Sequence, residues 1–237
     1  MASKLEIEVP DSLSSIKLEQ YMEWMKVVEA NKDIPDKDKS DFLDKALVEI
    51  FCKVTQQDIS RIKVTEFDKI LSVLSEAFSQ ETKELVRTFS MNGIEYGFMP
   101  NLQEMITSEY IDSESGLTGW DNINVAMAAL YRPITAKRVT RGIEQYEIEE
   151  YNPSDSKIEA MLEMPLDAVL SAKVFFCDLG MELSQIFLAY LDHQKSKDIH
   201  QKKTLEESGD GINQFILSLK EMRYDLMKLP LYRYTKR

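Results

Sequence analysis

The chain has 237 residues, 43% of them hydrophobic and 30% charged, enough for one sizeable core or for a core with a smaller lobe. Its net charge of −12 repels phosphates and anionic lipid, which argues against broad-surface binding to nucleic acid or membranes. With 8 glycines and 7 prolines, there is little material for glycine-rich phosphate loops or long flexible linkers.

Along the chain, "KLEIEV" alternates Leu5, Ile7 and Val9 with charged residues and predicts a short strand ended by Pro10. "SSIKLEQYMEWMKVVEAN" places Leu18, Tyr21, Met22, Met25 and Val28 at helical spacing, with Ser14 or Ser15 available as the cap. After the polar "NKDIPDKDKSD", a second helix is predicted over 41–54, striped by Phe42, Leu43, Ala46, Leu47, Ile50 and Phe51. In "TEFDKILSVLSEAF", Thr65 stands three residues before Asp68 and reads as a capping-box start. Asn92-Gly93 then marks a two-residue hairpin turn, since both central residues of such a turn need positive φ. The hairpin is predicted over 86–98, with the N-terminal strand as its third member, because two strands alone are marginal in water.

Pro100 ends the hairpin, and Leu102, Met105 and Ile106 share a face in short helical turns, with Thr107 capping the next segment. Gly116 and Gly119 bracket a turn. Trp120 opens a helix to Leu130 that stops before Pro133, because the residue ahead of a proline avoids the α region. "EQYEIEEYN" alternates Tyr146, Ile148 and Tyr151 as a strand. A helix over 154–163 precedes a longer one from Pro165 to about Leu191, with Gly180 as a kink. Apolar residues cover more than one face of that helix, which marks it as the central buried element. "DHQKSKDIHQKKTLEESGDG" reads as a solvated excursion, and a last helix over 212–228 closes at Pro230. The predicted fold is mainly α (α+β), helical with a small antiparallel sheet. Its segments are 1–84, 85–192 and 193–237, within one compact domain.

Few constellations carry chemistry. Cys52 and Cys177 sit in apolar runs and read as buried, reduced thiols. "MASKLEIEVP" has no apolar leader core, and Lys173, Asp178 and Glu182 break the longest apolar run, so neither a signal peptide nor a membrane span is expected. His193 and His200 stand seven apart in the most polar stretch and read as solvated rather than metal-binding. "DIPDKDKSDFLD" spaces its acids like a calcium loop, but Asp38 and Asp44 occupy the places where an EF-hand needs glycine and glutamate. No Gly-x-Ser-x-Gly is present, and no cofactor is implied. Met161, Met164 and Met181 read as core.

The chemistry that remains is recognition. Tyr110, Trp120, Tyr131, Tyr146 and Tyr151, with Arg132, cluster in the middle third beside many carboxylates. Aromatics in an acidic frame suit a protein interface, and they equally suit the wall of a core. At the C-terminus, Tyr232, Arg233, Tyr234, Lys236 and Arg237 form a second candidate docking segment. From Lys220 onward, six basic residues stand against two acidic ones, a local +4 that leaves −16 for the rest of the chain.

Four segments together resemble a family of tailed-bacteriophage proteins: "NGIEYGFMPNLQEMITSEYIDSE", "WDNINVAMAALYRPI", "YEIEEYN" and "MPLDAVLSAKVFFCDLGMEL". They carry an N-G-x-x-Y-G-F-x-P-N step, an E-Y-I-D run, an M-A-x-L-Y-R-P-I helix end and an F-F-x-x-L-G-x-E-L helix. The likeness spans about residues 85–190, and its lysine- and glutamate-rich style is similar to that of crAss-like phages of gut Bacteroidetes. The resemblance implies a non-enzymatic, multi-copy virion protein of the tail or portal interior, carried as packaged cargo that is ejected. Its partners would be other tail, portal or ring proteins, and its location the virion, with the host cytoplasm during assembly. The alternative is a cytoplasmic tail-assembly chaperone missing from finished particles. The resemblance brings no catalytic residues with it.

Overall fold

Apolar residues three and four apart build the first helical layer. In the computed structural model, which describes residues 6–33, 36–80, 84–140, 142–195 and 202–227, α1 (Leu18–Ala30) packs with α2 (Asp36–Cys52). α3 (Gln56–Ile59) and α4 (Val64–Phe78) follow. Four aromatics from these helices interlock: Trp24 lies edge-on to Phe51, Phe51 edge-on to Phe78 at 5.0 Å, and Tyr21 is tilted against Phe78. Gln20 is buried, and its amide donates to the carbonyls of Ile50 (2.9 Å) and Phe51 (3.2 Å), satisfying acceptors that the end of α2 leaves open. Lys53, at φ +53°, turns the chain out of that helix.

Three expectations for this layer need correction. Residues 6–10 lie outside any strand. Ile7 and Val9 are half-buried between exposed Glu6 and Glu8, so the alternation is real, but nothing pairs with it. The cap of α1 is neither Ser14 nor Ser15. Those serines belong to a 3-10 turn over Leu13–Ser15, and the Lys17 N–H is taken by Gln20 Oε1 at 3.1 Å. Ile16 and Lys17 are extended, and Ile16 and Leu18 are fully buried: the Ile16 carbonyl accepts from Leu166 N, and the N–H of Leu18, the first residue of α1, donates to Met164 O. The helix therefore cannot begin earlier. Thr65 is not a cap either: α4 starts at Val64, its first turn closing on the Lys63 carbonyl. A capping box forms instead at Thr55, whose hydroxyl accepts from Asp58 N while Asp58 accepts from Thr55 N.

The sheet has four antiparallel strands in the order β1-β2-β3-β4: β1 (Thr88–Met91), β2 (Ile94–Phe98), β3 (Tyr131–Thr140) and β4 (Ile143–Ile148). Asn92 (φ +53°) and Gly93 (φ +75°) make the predicted turn, setting Met91 opposite Ile94. The third strand is β3, not the N-terminal segment. It lies along the free edge of β2, with Tyr96 opposite Pro133, and carries its own hairpin partner, the strand expected around Tyr146.

Between the two hairpins stand α5 (Thr107–Leu117) and α6 (Ile123–Leu130). Thr107 is the first helical residue of α5 rather than its cap; Glu109 Oε2 accepts from Ile106 N at 2.8 Å instead. Gly116 belongs to α5 and brackets no turn. A Cβ there would lie 2.6 Å from the Asn122 carbonyl and 2.7 Å from Ala126 Cβ, so the missing side chain sets the approach of the two helices. α7 (Asp155–Ala160) and a 3-10 turn then lead into α8 (Leu166–Lys195).

The described residues divide into two compact units, one of residues 6–80 and 86–169, the other of residues 84–85, 170–195 and 202–227. The boundary falls inside α8, after Val169, where the sequence offers no linker. In the second unit, α8 runs antiparallel to α9 (Lys202–Met227), since Asp178 meets Arg223 at 2.6 Å and Gly180 meets Leu219. Two expectations change here. The stretch read as a solvated excursion is helical up to Lys195 and again from Lys202. And α8 is buried only over its first half: Leu183, Ile186, Phe187 and Tyr190 are exposed. Cys52 and Cys177 are buried and free, and Met161 and Met164 lie in the core. Pro230 and the basic terminus lie outside the described residues, as does His200.

Candidate functional site

Three of the four recognisable segments converge on one cluster in the first unit. Glu109 of α5 and Arg132 of β3 form an ion pair at 2.6 Å with both side chains withdrawn from water. The same carboxylate caps α5 through its other oxygen, so one buried side chain fixes a helix start and a strand residue together. The Arg132 guanidinium lies 5.7 Å over the ring of Tyr151. The Tyr151 hydroxyl donates to Asp112, one turn beyond Glu109 on α5. Burial, then the Asp112 hydrogen bond and the neighbouring carboxylate charges, hold that phenol well above its ordinary pKa, so it stays a donor.

Beside the cluster is a cavity of about 300 Å³. Tyr96, Ala128, Pro133, Tyr151 and Met161 give it mostly apolar walls, and Arg132 contributes to its lining. The Lys157–Glu149 ion pair, at 3.1 Å, also lines it. Arg132 Nε and Ser113 Oγ are buried polar atoms without a hydrogen-bond partner. Such a cavity offers mainly van der Waals surface. The cationic group is paired with Glu109 and the phenol donates to Asp112, an arrangement that braces α5, β3 and the segment after β4 against one another.

The sequence-predicted residues separate accordingly. Arg132 and Tyr151 are brought together. Tyr131 is 1% exposed, its hydroxyl donating to Val86 O (2.7 Å) and Ala168 O (3.3 Å), so it serves the core. Tyr146 covers Gly97 and donates to Phe98 O at 2.7 Å. Trp120 packs edge-on to Tyr21 at 4.6 Å, while Tyr110 is exposed. Tyr232, Arg233, Tyr234, Lys236 and Arg237 lie outside the described residues. Glu109 and Asp112 were missed as partners of these aromatics; their three-residue spacing on a helix was the available signal.

In the second unit, burial lowers the Lys173 ammonium to about 8 and raises the Cys177 thiol one turn on, which leaves that cysteine a poor thiolate. His193 is exposed. Among the described residues there is no group of three His, Cys, Asp or Glu able to hold a metal ion, and no helix is long and apolar enough to cross a membrane. Comparison with protein families, curated proteins and solved structures finds no match for this chain.

Proposed function

We propose that this chain is a non-enzymatic bacteriophage virion protein that works through contacts with other structural proteins. In this reading it is present in multiple copies at the tail or portal interior and is carried as ejected cargo. The observation that carries it is the Glu109–Arg132–Tyr151–Asp112 cluster. Three of the four segments that resemble phage proteins meet there, and the charged and phenolic groups of the cluster are committed to one another. Residues so tied brace a folded surface. The net charge of −12 supports protein partners over nucleic acid.

The second reading, a cytoplasmic tail-assembly chaperone, draws on the exposed apolar side chains of α8, which suit transient cover of an unassembled partner. Mass spectrometry of purified virions separates the two. Stoichiometric peptides of this chain in the particle support the virion protein. Peptides in the infected-cell lysate but not in the particle support the chaperone and overturn the first reading.

A further inference from the structure

The second half of α8 carries a seam. Phe176, Leu179, Leu183, Ile186 and Tyr190 follow one another at alternating steps of three and four residues, the spacing that keeps one face of a helix against another helix over several turns. Phe176 and Leu179 are half-buried. Leu183, Ile186, Phe187 and Tyr190 are 57%, 59%, 49% and 55% exposed. α9 covers a different side of α8, the one holding Asp178 and Gly180. The four exposed side chains present on the order of 400 Å² of apolar surface, within the range of the largest patch on a typical monomer, which is often functional.

We propose that this seam is the self-association surface of the protein, pairing α8 antiparallel with α8 of a second copy about a two-fold axis at Leu183. The pattern is self-complementary at Leu183 and at the positions four and seven residues to either side, as a two-fold interface requires, while Ile186 falls opposite Gly180. Seven residues to either side of Leu183 stand aromatics, Phe176 and Tyr190; four residues to either side stand Leu179 and Phe187. In the antiparallel pair Leu183 abuts Leu183, Phe176 faces Tyr190, and Leu179 faces Phe187. Charge does not oppose the contact despite the −12 of the chain. From 176 to 190 only Asp178 and Glu182 are charged, and Asp178 is bonded to Arg223. The apolar centre is about half of the roughly 800 Å² per partner that a standard interface buries.

This surface is independent of the cluster behind the virion reading, and purified chain alone tests it. Sedimentation velocity over a concentration series should show a monomer–dimer equilibrium. Leu183→Glu, at an exposed position and with helix content checked by circular dichroism, should weaken it about a hundredfold by placing a charge at the centre of the contact. Leu183→Cys should cross-link into a covalent dimer when oxidised with diamide. Tyr190→Cys should not, because two copies of that residue lie about 20 Å apart across the axis, at about 1.5 Å per residue. A chain that stays monomeric at every concentration overturns the proposal. Equal dimerisation by Leu183→Glu overturns it as well, and so does equal cross-linking by Tyr190→Cys, which would mean a parallel pair.

Discussion

Glu109 Oε1 lies 2.6 Å from Arg132 Nη1, with the two side chains 6% and 10% exposed. Removing one member of such a pair strands the other charge in a poorly solvated site. Arg132→Met should therefore cost about 3–5 kcal/mol in urea unfolding. The double variant Arg132→Met, Glu109→Leu should lose less than the sum of the single changes, since no charge is then left alone. Strict additivity of the two losses would show that the pair is not coupled.

Gly97 sits under the ring of Tyr146, where an added Cβ would come within 2.5 Å of Cε2 and 3.0 Å of Ile134 Cγ1. Gly97→Ala should destabilise by about 1–3 kcal/mol through overpacking. The same change in a Tyr146→Ala background should cost clearly less, as measured by the midpoint of denaturant unfolding.

Gly93 and Gly119 both have open space where a Cβ would stand, but only Gly93 has positive φ. Gly93→Ala should cost about 1–2 kcal/mol from backbone conformation alone. Gly119→Ala should be neutral or stabilising by about 0.4–1 kcal/mol through the unfolded chain. Thermal unfolding of the two variants side by side distinguishes conformational from steric causes.

Asp44 has its pKa raised to about 6, first by burial and then by the charges of Asp41 and Asp68. The unfolded carboxyl, near about 3.9, ionises more readily than the folded one, so stability tied to this group is full below about pH 4. It falls as pH rises toward 6 and stays lost above. Asp44→Asn should stabilise the protein by on the order of 1 kcal/mol at pH 7, a figure discounted for the partial exposure of the site, and should change little at pH 4. A gain of equal size at both pH values would rule out ionisation as the cause.

The basic terminus is argued from charge. Deleting residues 230–237 should leave far-ultraviolet circular dichroism and the unfolding midpoint unchanged while lowering incorporation into particles. If the segment docks on an acidic surface as proposed, association of the full chain should weaken as salt is raised. Equal assembly of the truncated and full chains at low and high salt would leave the segment without a docking role.

Local patterns in the sequence were sufficient where the determinant is local. Asn92-Gly93 specifies its turn because both residues tolerate positive φ, and the spacing of apolar residues marks α1, α2, α4, α6 and α8 because a helix must bury a stripe. The same reasoning failed at β3. Its Pro133 and the exposed Lys137 and Arg138 obscure the strand pattern, and pairing at a distance makes it one: Tyr131–Pro133 lie along the free edge of β2 and Ile134–Thr140 pair with β4. It failed at the N-terminus for the converse reason, since alternation without a partner edge leaves "EIEV" unpaired.

The order of residues by itself determined a mainly helical, strongly acidic chain with a small sheet and aromatics near carboxylates in the middle third. Tertiary structure alone decided which of those groups meet. Arg132 reaches Glu109 across 23 residues, and Tyr151 reaches Asp112 across 39. Such pairings depend on how α5, β3 and the segment after β4 are packed, not on any spacing along the chain. The exposure of the α8 seam is likewise a tertiary fact: hydrophobicity says that a face seeks cover, and only the positions of the other elements say whether it has found any.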